Sequence, residues 1–311
     1  MRENVDARIK SGHDGSIETT TAHDMSEARA RPAALSAAFL IGPASAMVVI
    51  VLVLPLLLLL RYSFNRFVPG QFMVEALTLE NYVKFFADPY YSKVMLVTIE
   101  VAISSTLFCL LLGYPTAYLL ARSKSHYKSL MIMLVVMPLF VGNAVRAAGW
   151  IVVFGHQGAL NALLVWLGIV AEPLDIMYTT TAVIIGITAF NLPFMVLTLQ
   201  SVIEGIPETL EEAALGMGAG PLRAFRRVTL PLSLPGIAAG TILCFILAMN
   251  AYATPVLLGG PRFQMMAPLV YDQISQQSNW PLGSALAFIL MAATLILTLA
   301  SNLLLRQRAR R

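Results

Sequence analysis

The chain has 311 residues, of which 58% are hydrophobic and only 12% charged, and its mean hydropathy is +0.74. Soluble globular chains carry roughly twice that charge, and a surface this apolar needs lipid to cover it. Composition therefore indicates an integral membrane protein and excludes a cytosolic enzyme or a nucleic-acid binder. The two cysteines, Cys109 and Cys244, each sit inside an apolar run, which reads as two small core hydrophobes rather than a disulfide framework or a metal site.

In chain order, residues 1–33 are polar, mixed in charge and poor in aromatics, the composition of a disordered tail. The first apolar stretch begins only after Arg31-Pro32, too late for a cleavable signal peptide, so it reads as a retained anchor. A helix rising 1.5 Å per residue needs about 20 apolar residues to cross hydrocarbon. Six stretches qualify: 35–60, 94–121, 129–153, 179–202, 235–258 and 283–305, within a membrane domain of residues 34–305. A seventh, 159–171, is short and ends at Glu172-Pro173, as an interfacial helix does. Residues 306–311 form a basic tail. Prolines and glycines inside the spans (Pro55, Gly113, Pro115, Pro138, Gly142, Pro193, Gly240, Pro255) fit either a kinked bundle around a cavity or ordinary membrane-helix composition.

The basic residues of the loops set the orientation. With the N-terminus in the cytoplasm, that side holds Arg2, Arg8, Lys10, Arg29, Arg31, Arg122, Lys124, Lys128, Arg223, Arg226, Arg227 and the four terminal arginines. The other side holds only Arg61, Arg66, Lys84, Lys93 and Arg262. This roughly threefold excess predicts both termini on the cytoplasmic side, and it accounts for the formal charge of +4 without any nucleic-acid partner.

One segment, 204–234, does not belong in lipid. Pro207 suits the first turn of a short helix, with Glu208, Glu211 and Glu212 near its positive end. Gly216, Gly218 and Gly220 with Pro221 end that helix. A second one follows, with Leu222, Phe225 and Val228 on one face and Arg223, Arg226 and Arg227 elsewhere, until Leu230-Pro231 breaks it. Such an elbow is about the size that inserts into a groove on another protein, although a bland amphipathic loop has the same pattern.

The spacing narrows this. Glu212-Ala213-Ala214, three residues, Gly218, nine residues, then Val228-Thr229-Leu230-Pro231 resembles the "EAA" signature of permease subunits of bacterial ATP-binding-cassette (ABC) importers, with Val228 in place of the family's Ile. The stretches at 112–115, 145–150, 191–196 and 257–261 are similar to the branch that includes spermidine/putrescine permeases of the first-permease type. That branch also has relatives for opines, phosphonates, ferric iron and sulfate. Polyamine permeases commonly carry an acidic residue and Ser after Gly-Gly-Pro, where this chain has Arg262-Phe263.

The resemblance implies an all-α integral membrane protein of six transmembrane helices, N-in and C-in, with the type I ABC importer permease fold and a cytoplasmic coupling helix, placed in the bacterial inner membrane. It implies two ATP-binding subunits, a second related permease and a periplasmic solute-binding protein as partners. ATP with its magnesium would be hydrolysed by the partner subunits, because no Gly-x-x-x-x-Gly-Lys-Ser/Thr loop occurs in this chain; no cofactor, catalytic residue or metal ligand is expected in it. Glu212, Ala213, Ala214, Gly218, Val228, Leu230 and Pro231 would then form the surface that receives the ATPase. For an ammonium-bearing solute, a path needs carboxylates and aromatic faces, and Glu100, Tyr252 and Asp272 are the candidates. Arg146, inside a span, either pairs with Glu100 or anchors outer-loop carbonyls. A secondary carrier driven by an ion gradient is the alternative of a different class, but it calls for an internal repeat with broken helices, which the chain does not display.

Overall fold

The computed structural model describes residues 42–43, 45–71 and 73–309, with side chains up to residue 303. The whole of the expected N-terminal tail and the start of the first span lie outside the described residues. Among the described residues the protein is all helix, apart from one isolated antiparallel bridge between Arg66 and Val74. Five helices are long and apolar enough to cross a membrane, and a bent pair makes up to six.

Helix α1, Ser45–Ser63, belongs largely to a compact unit of its own that ends at Leu59, and none of its apolar window is buried. The second unit begins with a short connection. Asn81 secures it by donating through Nδ2 to the carbonyls of Ser63 and Asn65, each at 2.9 Å. Its helices are α2, Glu80–Ala87; α3, Pro89–Arg122; α4, Lys128–Phe140; α5, Asn143–Phe154; α6, Ala159–Trp166; α7, Thr180–Glu204; α8, Glu208–Gly216; α9, Pro221–Leu232; α10, Leu234–Met249; α11, Ala253–Gly259; α12, Met266–Tyr271; and α13, Trp280–Ala309.

The core is built on α3, α7 and α10. One cluster joins Val94, Met95, Val101 and Ala102 of α3 to Ala182, Val183 and Ile187 of α7 and to Ala248, Met249, Leu258 and Leu286. A second joins Cys109, Ala117 and Leu120 to Met195, Leu199, Ile203 and Cys244. Both cysteines are free and fully buried, as expected of core hydrophobes. Polar ties cross this core where apolar packing alone would leave the register loose. Asn191 Nδ2 donates to the Cys244 carbonyl at 3.2 Å. Thr98 Oγ1 donates to the Val94 carbonyl and accepts from the Met266 amide at 2.9 Å, which pins the start of α12 to α3.

Three boundaries differ from the sequence reading. The expected third span, 129–153, is not continuous. Its first part turns into a 3₁₀ segment at Met137–Phe140, and Gly142 is extended (φ −58°, ψ 148°) before α5 starts. Pro138 offers no amide to the helix, so the i→i−4 ladder stops there. The apolar stretch long enough to span instead runs from Asn143 to Trp166, interrupted at Gly155–Gly158, and so takes in the segment expected to lie at the interface. The expected fifth span, 235–258, is likewise interrupted at Asn250–Tyr252, between α10 and α11.

The third difference is at Pro231. The helix does not break there but runs on to Leu232 and bends by 63° into α10. It accommodates the proline by widening beforehand. Residues Phe225–Thr229 form a π turn, closed by the Leu230 amide on the Phe225 carbonyl, so the missing Pro231 amide falls outside the α-helical ladder.

Candidate functional site

The most elaborate polar construction in the described residues lies where α3 and α7 end and the α8–α9 elbow begins. Helix α3 has 34 residues, about 50 Å at 1.5 Å per residue, against a hydrocarbon core of ~30 Å. The helix is thus longer than the hydrocarbon is thick, and its last three turns carry Tyr114, Tyr118 and Arg122. Three cation–carboxylate pairs fasten this end of the bundle: Arg122 Nε–Glu211 Oε2 at 3.4 Å, Lys124 Nζ–Glu208 Oε2 at 2.7 Å and Lys128 Nζ–Glu204 Oε1 at 3.0 Å.

These pairs differ in weight. The side chains of Lys124 and Glu208 are 79% and 39% exposed, so water and salt screen them. Those of Arg122 and Glu211 are 14% and 16% exposed, and their carboxylate is shared. Tyr118 Oη donates to Glu211 Oε1 at 2.9 Å, and Thr229 Oγ1 donates to the same oxygen at 2.8 Å. Arg122 Nε–H does not point squarely at Oε2, so that contact is Coulombic, while Nη1 donates to the Ile206 carbonyl at 2.9 Å. Around the carboxylate, Phe225 presents its ring edge-to-face to Tyr114 and Tyr118, at centroid distances of 5.7 and 5.4 Å. Tyr114 Oη and Ser233 Oγ lie 2.8 Å apart at the bend between α9 and α10.

The elbow's own turn is a Schellman motif. The Gly218 amide bonds the Leu215 carbonyl at 2.9 Å and the Ala219 amide bonds the Ala214 carbonyl at 3.1 Å, with Gly218 at φ +84°. This pattern needs a left-handed residue after the helix, which glycine adopts without strain. Gly220 then caps α9, with Pro221 in its first turn.

Of the expected elbow residues, Glu212, Ala213, Gly218 and Pro231 are exposed, Val228 and Leu230 are half-buried, and Ala214 is buried against the bundle. The expected Leu222–Phe225–Val228 face is only partly the packed one. Leu222 is 76% exposed, Phe225 and Val228 are both half-buried, and the fully inward residues are Ala224 and Thr229. Outward, the elbow shows Leu210, Leu215, Met217 and Leu222, between exposed Glu212 on one side and Arg223, Arg226 and Arg227 on the other. A cleft of about 270 Å³ opens between elbow and α3, with Arg122, Glu208, Glu211 and Glu212 in its wall.

Tyr118 was not noticed in the sequence, and Glu211, Arg122 and Thr229 entered it only as a first-turn acid, a charge that sets orientation and a member of the signature. One signal was available: Glu211 lies three residues before Ala214, so a buried Ala214 puts Glu211 on the inward face and Glu212 outside.

The other expected residues lie elsewhere. The rings of Tyr252 and Tyr271 are 4.8 Å apart, and the neighbouring Asp272 is half-buried and accepts from Gln277 Nε2 at 2.8 Å. Glu100 is exposed on α3, about 200° round the helix from the buried Thr98. The Glu100–Arg146 pair does not form. Arg146 instead lies over the Phe190 ring at 4.4 Å and donates to Asn143 Oδ1 at 2.9 Å, a cation–π contact that makes no use of a carboxylate. Among the described residues it donates to no loop carbonyl, the anchor that was the other expectation.

Residues 109–311 match the family described as binding-protein-dependent transport system inner membrane component. The chain belongs to this family. It is 36% identical over 258 residues to the spermidine/putrescine transport system permease protein PotB of Haemophilus influenzae, covering 82% of this chain and 90% of that protein. With PotB of Escherichia coli it is 35% identical, covering 83% and 92%. Its fold is that of a solved bacterial alginate ABC transporter in complex with an alginate pentasaccharide-bound periplasmic protein, with a TM-score of 0.71 and 18% identity over 91% of this chain and 97% of the other. The protein is thus a transmembrane permease of an ABC importer.

Proposed function

We propose that this permease forms half of the translocation path of an inner-membrane importer for a polyamine of the spermidine/putrescine class, delivered by a periplasmic binding protein. It pairs with a second, related permease, and two ATP-binding subunits hydrolyse ATP with its magnesium. Identity of 36% to PotB over most of both chains carries the substrate class. In this reading residues 34–305 cross the membrane six times with both termini in the cytoplasm, between a tail of residues 1–33 and a basic end at 306–311.

The elbow supports the docking role. Leu215, Met217 and Leu222 offer an exposed apolar patch in what the charge pattern makes the cytoplasmic end, and a soluble groove is what would cover it. Glu212 and Ala213 lie against the ATPase on the outward side of α8. Ala214, Val228, Leu230 and Pro231 set the angle at which the elbow is presented, and Gly218 makes its turn. On the substrate side, the paired faces of Tyr252 and Tyr271 beside Asp272 offer aromatic and carboxylate partners to an alkylammonium. Glu100 reaches the path only from the far face of α3, and Arg146 is structural.

The test is reconstitution. The permease, its partner permease and the ATPase are placed in vesicles with the cognate binding protein, and uptake of labelled spermidine and putrescine is followed with and without ATP. ATP-dependent uptake competed by diamines but not by phosphonate or sulfate is expected. Competition by the anions alone would replace the polyamine with an anionic solute, and uptake driven by an ion gradient without ATP would overturn the importer.

A further inference from the structure

Beyond forming a surface for the ATPase, the elbow has to be joined to the helices it moves, and one carboxylate makes that joint. Glu211 belongs to α8. Its Oε1 accepts from Tyr118 of α3 and from Thr229 of α9, and its Oε2 faces Arg122 of α3. Three separate elements therefore meet on two oxygens, in a place where both charged side chains are mostly removed from solvent. The π turn is what brings Thr229 there, since it rotates the residues after Phe225 relative to a regular helix. Among the described residues no other ion pair fastens the elbow in this way: Lys124–Glu208 is mostly exposed and joins the elbow only to the loop after α3, and Lys128–Glu204 lies before the elbow begins.

We propose that Glu211 is the positioning residue that locks the elbow to α3, so that displacement of the elbow is passed to the bundle instead of being absorbed between them. The inference rests on the proposed ATPase docking, because it concerns what the docked elbow pulls on. Its chemistry is specific to a carboxylate. In Glu211→Gln the amide oxygen can still accept from Tyr118 and Thr229, but the amide N–H groups then face the Arg122 cation, donor against donor. Turning the amide round satisfies Arg122 and leaves both hydroxyls without an acceptor. Size is unchanged, so the variant loosens the joint without emptying the space.

The experiment uses the complete complex in vesicles and reads solute imported per ATP hydrolysed, with the amount of co-purifying ATPase as a second measurement. Mutations along a coupling network shift coupling by a factor of roughly two to thirty, and a loss in that range is expected for Glu211→Gln while the ATPase stays docked and active. Tyr118→Phe removes one bond and no charge. It should lower the ratio in the wild-type background and change it no further in the Glu211→Gln background, as members of one unit do. If Glu211→Gln does not accumulate, the Tyr118→Phe ratio decides the matter alone.

An unchanged ratio in these variants would overturn the proposal. So would loss of the ATPase from the Glu211→Gln complex, which would make Glu211 part of the docking surface and not of the joint. Failure of the underlying reading looks different: the wild-type complex itself would neither retain the ATPase nor import.

Discussion

Gly218 separates two demands that one glycine meets at once. At φ +84° it closes the Schellman turn of α8, and a Cβ built there would meet no atom within 4 Å. In the permease alone, any substitution is therefore penalised for backbone conformation and not for volume. A left-handed residue with a Cβ costs about 1–2 kcal/mol, and Asn, which tolerates that region, costs less. Gly218→Ala and Gly218→Trp should thus lower the stability of the purified permease by the same ~1–2 kcal/mol, with Gly218→Asn closer to wild type. Import should rank differently. If the open space beside Gly218 is where the ATPase packs, Trp abolishes uptake while Ala and Asn retain much of it, with membrane insertion normal in all three. Thermal unfolding in detergent reads the first ranking and vesicle uptake the second. Normal uptake by Gly218→Trp would refute the docking role, and a Gly218→Ala permease as stable as wild type would refute the conformational one.

Other sites give independent checks. Gly186 on α7 lets α11 approach so closely that a Cβ would lie 2.6 Å from Leu258 Cδ1 and 2.7 Å from Thr254 Cγ2; Gly186→Ala should destabilise by about 1–3 kcal/mol through overpacking, read as a lower unfolding temperature in detergent. Thr98→Val keeps the shape but leaves the buried Met266 amide without its acceptor, and should cost about 1–3 kcal/mol, whereas Thr98→Ser should recover most of it. At the elbow, the hydrogen bond from Lys124 holds the Glu208 carboxyl below the usual carboxylate range, and the same bond holds the Lys124 ammonium above the usual lysine range. A depressed carboxyl stabilises above its unfolded value and stops doing so as pH falls through its folded one; a raised ammonium stabilises below its unfolded value and stops as pH rises through its folded one. Hydrogen-exchange protection of α8, corrected for intrinsic rate, should therefore be flat from roughly pH 5 to 9. A steep change inside that window would show that another group governs the elbow.

How far the sequence could be read depended on what marks each feature. Long spans were legible because charges and loop residues bound the apolar runs, so α3, α7 and α13 lie within a few residues of where hydropathy puts them. Breaks inside apolar sequence were not, since the residues on both sides are equally lipid-compatible. The break near Gly142 follows from Pro138, which was seen as an interior proline but not as a terminator, and Asn250, the residue that caps α10, is a stop signal that the surrounding apolar run obscured. The elbow's turn was legible because Gly218 is there for a backbone reason. Its anchoring was not, because Glu211 and Glu212 are adjacent carboxylates about 100° apart on one helix, and only the helix phase tells which is buried. Arg122 was read as one more charge setting orientation, although the last residue of a long helix can both set orientation and hold a partner element.

These joints bear on what the bend at Ser233 does. The elbow is connected to the core by two routes: covalently through the 63° corner into α10, and through Glu211 to α3. A single connection would leave the elbow free to swing about it; two, at different points, remove that freedom. The corner itself is stiffened where Ser233, fully buried, meets Tyr114 of α3, and α10 is fastened to α7 by the Asn191–Cys244 bond. The three core helices and the elbow therefore meet the physical requirement for transmitting a push, which is that a bistable assembly has rigid members between its two ends. Tyr114→Phe, which frees the corner but leaves the Phe225 ring contacts intact, should accordingly impair import less than Glu211→Gln, because α9 remains covalently tied to α10 while α3 retains its own carboxylate link. The same vesicle assay measures both, and a larger loss from Tyr114→Phe would make the corner, and not the carboxylate, the main route of force.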